Sequence, residues 1–150
     1  ALGAAGLVHP LTGTPGLLRG RALRAREAGL GMLFENAAVC SKGAAELLAA
    51  VGPSAGFAFN PAHFAAVGEM PFLQSYKTGV KRRIGYLAIS DMRPLGRACL
   101  PGSGNGEVKE LMSILRCSSF EGYFCIGHDF GAELDFAEAT EAFYRLLDGC

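Results

Sequence analysis

Residues 30–63, LGMLFENAAVCSKGAAELLAAVGPSAGFAFNPAH, hold the decision about the fold. Leu30 to Phe34 is a short apolar run that closes on Glu35-Asn36. Ala44, Leu47, Leu48 and Val51 then recur at i, i+3, i+4 and i+7, the spacing of one helix face, with Ser41 placed to cap it. Gly52-Pro53 stops that helix. Ala55 to Phe59 is a second apolar run, closing on Asn60-Pro61-Ala62-His63. Two strands joined through a helix return to the same end of a sheet and therefore pair in parallel. Strands without polar alternation belong to a sheet covered on both faces.

The same unit repeats in both directions. Upstream, Leu7-Val8-His9 is closed by Pro10, and Thr14-Pro15 is a helix start, a capping hydroxyl followed by proline at the first helical position. Leu18, Ala22 and Ala25 share a face of that helix, and Gly29 stops it. Downstream, residues 64–80 read as a helical stretch broken by Gly68, Pro71 and Gly79. Ile84 to Ile89 is the fourth run and ends at Ser90-Asp91. A Gly/Pro-rich loop, Pro101 to Gly106, precedes a helix with Val108, Leu111, Met112 and Leu115 on one face. Gly122 to Ile126 is the fifth run, and a last helix is expected to bury Phe136, Ala139, Phe143, Leu146 and Leu147. Repeated βα units of this kind predict an α/β fold with about five parallel strands. Two architectures fit: part of a (β/α) TIM barrel, or an open flavodoxin-like sheet. In both, sites are built just past the strand ends, where Glu35, Asn36, Asn60, His63, Asp91, His128 and Asp129 collect. A closed eight-stranded barrel takes about 250 residues, more than the 150 present.

Bulk properties narrow the function. The 150 residues suit one domain over 1–150, and half of them are hydrophobic, enough for a core. Basic and acidic residues balance at 14 each, which leaves no electrostatic footprint for nucleic acid or anionic lipid. Lys81-Arg82-Arg83 reads as a solvated helix end. No apolar stretch reaches the length of a membrane span, and residues 1–8 lack the basic start of a signal peptide. The five cysteines, Cys40, Cys99, Cys117, Cys125 and Cys150, form no Cys-x-x-Cys pair. Free thiols in a reducing, cytoplasmic compartment are the expectation, with Cys125 a small core residue. The 102–106 loop lacks the Lys-Ser/Thr of a phosphate-binding loop, and no Gly-x-Ser-x-Gly elbow surrounds Ser90.

Several of these pieces, in order, resemble the xylose-isomerase-like sugar isomerase and epimerase family. Phe34-Glu35-Asn36 is similar to the end of its fifth strand. Gly56 to His63 resembles the sixth-strand signature, an Asp followed three residues later by His. Arg83 to Asp91 resembles the seventh strand, Pro101 to Val108 the Gly-rich segment before the next helix, and Phe120 to Ile126 the run into the eighth strand. Val8-His9-Pro10 resembles a remnant of the fourth strand. The resemblance implies a partial TIM barrel and a divalent cation (Mg, Mn, Co or Zn) held by Glu, Asp, His and a second Glu. The ion polarises a sugar carbonyl while carboxylates move a proton between adjacent carbons.

Carried over residue by residue, Glu35 matches the first Glu, as metal ligand and catalytic carboxylate. Asn60 stands where the Asp is expected, Ala88 where the His is expected, and Gly127 where the last Glu is expected. His63, Asn60 and Asp91 are the implied substrate contacts. The reading is a sugar isomerase/epimerase-like barrel protein, catalytically impaired or inactive, with a small carbohydrate as ligand. The alternative is a non-catalytic subunit that pairs its open barrel edges with a protein partner or a second copy. A third reading, a living isomerase, needs His128 and Asp129 to supply replacement ligands.

Overall fold

Thr14 and Pro15 start the first helix as their chemistry dictates. The Thr14 hydroxyl accepts the Leu17 N–H at 3.4 Å, and Pro15 fills a position whose N–H has no helical partner. The computed structural model describes residues 4–37, 39–126 and 134–149. Its elements are β1 (Gly6–Pro10), α1 (Pro15–Glu27), β2 (Gly31–Glu35), α2 (Ser41–Val51), β3 (Ala55–Phe59) and α3 (Pro61–Ala66). They continue with β4 (Ile84–Ala88), β5 (Asp91–Arg93), β6 (Arg97–Cys99), α4 (Val108–Cys117), β7 (Tyr123–Cys125) and α5 (Phe136–Asp148).

Five strands form one parallel sheet in the order β1-β2-β3-β4-β7. That order follows the chain without reversal. A flavodoxin-like sheet reverses its order at a switch point, so the barrel reading holds and the open-sheet reading fails. The sheet is curled into a half-barrel. The pairing of β3 with β4 carries one irregularity: Phe57 lies opposite Ile84, but Ala58 lies opposite Tyr86, leaving Gly85 as the extra residue.

The outer face of the sheet carries the core. Phe34, Phe57, Phe59, Leu87 and Ile89 are fully buried there, against Leu18 of α1, Leu48 of α2, and Leu111 and Met112 of α4. Phe59 and Phe64 pack with ring centroids 4.9 Å apart. The inner face is open by contrast. Val8 is 47% exposed and Tyr123 61%, and both line a cleft of about 430 Å³ with Leu33, Tyr86 and Cys125. Cys125, expected in the core, thus sits half-buried on the inner side.

Several local expectations are corrected. Cys40, not Ser41, occupies the cap position of α2. Ser41 is the first helical residue, and its N–H donates to both Glu69 carboxylate oxygens at 3.0 Å. A remote carboxylate thereby supplies the negative charge a helix start favours. The helix expected over 64–80 ends at Ala66, with Gly68 at φ 82°, and the chain continues through turns and a short 3-10 turn at Ser75–Lys77. Phe136, assigned to the buried face of α5, is the first residue of that helix and is 49% exposed, whereas Ala139 and Ala142 are buried. Within Lys81-Arg82-Arg83 the first two are exposed, but Arg83 Nη1 donates to the carbonyls of Leu48 (2.8 Å) and Gly52 (2.7 Å) and closes the end of α2. Cys40, Cys99, Cys117 and Cys125 are free thiols. No described helix is long and apolar enough to cross a membrane.

Candidate functional site

Strand alternation decides which strand-end residues meet. Glu35 ends β2 on the inner side, paired with Ala58 of β3. Asn60, two residues beyond Ala58, points the same way, and so does Ser90, two beyond Ala88. These three polar residues form one connected group at the C-terminal end of the sheet. Asn60 Nδ2 donates to Glu35 Oε1 at 2.8 Å, and Ser90 Oγ donates to Asn60 Oδ1 at 2.7 Å. Asn60 Oδ1 also accepts the His63 N–H at 3.4 Å, which caps α3. Chemistry alone fixes this amide orientation: the carboxylate needs a donor and the backbone N–H an acceptor. Asn60 and Ser90 are 2% and 4% exposed, whereas Glu35 is half-buried.

Asn36 clamps the group from behind. Its side chain accepts the Asn60 N–H at 2.7 Å and donates to the Asn60 carbonyl at 2.9 Å, so a side-chain amide continues the β2–β3 ladder one residue past the strand. His63 Nδ1 bonds to the Asn36 carbonyl oxygen. That carbonyl can only accept, so Nδ1 is the donor. Glu35, Asn60 and His63, all named from sequence, are brought together. Asn36 and Ser90 join them and were not assigned roles in advance. The available signal was position: each directly follows or terminates an apolar run.

Asp91 goes elsewhere. It follows Ser90 and faces the opposite way, 1% exposed. Its Oδ1 accepts from the N–H groups of Met92 (2.8 Å) and Gly106 (2.7 Å), and its Oδ2 from those of Gly102 and Gly104 (2.9 Å each). The Gly-rich loop is wrapped around this carboxylate. A Cβ on Gly104 would lie 2.5 Å from both Asp91 Oδ1 and the Met92 carbonyl, closer than packing permits. Burial, and secondly the Asp91 charge, push the neighbouring Cys99 thiol above its ordinary pKa. His9 lies away from the group, its Nδ1 2.6 Å from the Pro10 carbonyl oxygen and 3.4 Å from Arg21 Nη1. Gly127, His128 and Asp129 lie outside the described residues.

No protein-family model and no curated protein sequence matches the chain. Solved structures do. A xylose isomerase domain protein from Planctomyces limnophilus superposes with a TM-score of 0.71 at 18% identity, over 91% of this chain and 52% of that one. The fold is xylose-isomerase-like. A D-tagatose 3-epimerase-like protein superposes at 0.69 and 16% identity, over 89% of this chain and 52% of its own. A protein from Thermus thermophilus, soaked with zinc chloride, gives 0.60 at 20% identity, over 99% of this chain and 64% of its own. The chain spans about half the length of the first two xylose-isomerase-like structures.

The described residues do not fit the divalent cation that this fold family implies. Among the described residues no three His, Cys, Asp or Glu side chains converge. Glu35 Oε1 faces an amide N–H rather than open space, and Asn60 Oδ1 already accepts two hydrogen bonds. Ala88, in the position implied for an imidazole, offers no donor atom.

Proposed function

We propose that this chain is the C-terminal half of a sugar isomerase/epimerase-like barrel, a pseudoenzyme that contacts a small carbohydrate without the metal-assisted proton transfer. The observation carrying this reading is the joined group of Glu35, Asn60, Ser90 and His63 at the strand ends, where parallel barrels build sites. It offers a carboxylate acceptor, an imidazole and hydroxyl chemistry, which suit sugar hydroxyls, and its described residues lack a cation's ligand set. Glu35 and His63 are the direct contacts, and Asn60 holds Glu35. Asp91, spent on its loop, supports the site's surroundings. Free thiols support a reducing, cytoplasmic location.

The test is saturation-transfer NMR with neutral ketohexoses and aldohexoses, alongside isomerisation and epimerisation assays with Mg, Mn, Co and Zn. The expected result is weak saturable binding, reduced at least about tenfold in E35A, with turnover at background. Metal-stimulated turnover would remove the word pseudoenzyme, and no binding of any neutral sugar would remove the carbohydrate.

A second reading is supported by the sheet edges. Among the described residues β1 and β7 each have one strand neighbour, and the inner face between them exposes Val8 and Tyr123. Unpaired strand edges offer free backbone N–H and C=O groups for pairing. In this reading the chain is a subunit whose inner face is covered by a partner chain or a second copy. Light scattering on the purified chain decides it: a stable, dilution-resistant monomer without exposed-surface dye binding counts against it.

A further inference from the structure

Asn60 is more than a substituted ligand position. Building on the sugar-binding reading of the strand-end group, we infer that the Asn60 amide takes the charge-compensating place of a cation, making the mouth a metal-independent site for a neutral hydroxylated ligand with Glu35 as acceptor. A half-buried carboxylate needs a donor or a positive charge beside it. For Glu35 that partner is Asn60 Nδ2 at 2.8 Å, and among the described residues no Lys or Arg pairs with it.

The amide cannot turn away. Its Oδ1 accepts from Ser90 Oγ and the His63 N–H, and the Asn60 backbone is held at both its N–H and its carbonyl by the Asn36 side chain. On the Asn60 side of Glu35 Oε1 a cation would meet an N–H hydrogen in place of a second anionic oxygen. Asp at this position would keep the acceptor for Ser90 and His63 and convert only the donor into a second anionic oxygen against Glu35. The exchange of one group therefore separates a lone carboxylate matched by an amide donor from two facing anionic oxygens that a cation would bridge.

The experiment titrates Mn²⁺ alone into the wild type, E35Q, N60D and the double variant E35Q/N60D, by calorimetry and thermal unfolding at fixed pH. The wild type is expected to show no saturable Mn²⁺ heat and no shift in Tm at millimolar metal. N60D is expected to lose several degrees without metal, to regain them with Mn²⁺, and to bind it at least about tenfold more tightly than the wild type. E35Q/N60D is expected to be stable without metal and indifferent to it. Should N60D not fold, the double variant and the wild-type titration decide. One equivalent of Mn²⁺ held by the wild type and released in E35Q overturns the inference, as does an N60D protein that is fully stable and ignores Mn²⁺. Sugar binding is then repeated in excess chelator: persistence is expected, and loss overturns. Absence of sugar binding both with and without metal sinks the sugar-binding reading and with it the ligand named here, while the Mn²⁺ titrations still decide the role of the Asn60 amide.

Discussion

Glu35 and Asp91 are both carboxylates at the ends of barrel strands, and they have opposite fates. Asp91 is buried and accepts four backbone N–H bonds. Glu35 is half-buried and accepts one side-chain amide. A carboxylate saturated by backbone amides is a fastener: it organises a loop and has nothing left for a ligand. A carboxylate held from one side keeps capacity for a ligand on the other. Acid residues at strand ends therefore cannot be ranked as site residues by position alone. The number and kind of their donors separates them.

Four measurements would break or sharpen that contrast. The largest effect is expected from D91A, which leaves four backbone amides, three of them in the Gly-rich loop, without an acceptor. It should cost about 3–5 kcal/mol, a fall of roughly 6–20 °C in Tm by calorimetry. If D91A is tolerated, the fastener reading is wrong. G104A comes next, because its Cβ collides with Asp91 and the Met92 carbonyl. About 2–3 kcal/mol is expected, read from urea midpoints. E35Q should change stability by less than about 1 kcal/mol while weakening sugar binding; a large unfolding effect would make Glu35 a second fastener. The smallest effect concerns Cys99. Its pKa is raised in the fold, so the neutral thiol contributes stability below the ordinary thiol range, and that contribution is lost as pH rises through the raised value. Alkaline denaturation should be slightly shallower in C99A, and alkylation should label exposed Cys40 and Cys117 well before Cys99.

Much of the fold was legible because its strands are apolar runs covered on the helix side, and its helices repeat at 3.6 residues. Ala44, Leu48 and Val51 announced the buried face of α2 and are buried. The β5–β6 hairpin was not legible, since three-residue strands around Pro94 and Gly96 have no period to detect. Ser41 misled because its role is met by Glu69, distant in sequence. At the site, Glu35, Asn60 and His63 were readable from the run endings and the resemblance. The roles of Ser90 and Asn36 were not, although both stand at run endings, because their contacts depend on pairing between strands, which no single segment encodes.

The irregular pairing at Gly85 has a further effect. Had β4 continued in step with β3, Gly85 would lie opposite Ala58, Ser90 would turn toward the helices, and Asp91 would enter the mouth. Whether a hydroxyl or an acid is presented there is thus settled at the base of the strand, by a count of residues rather than by a side chain. A lineage can exchange the chemistry of such a mouth by slipping the frame of one strand, with no substitution among the residues that meet the ligand.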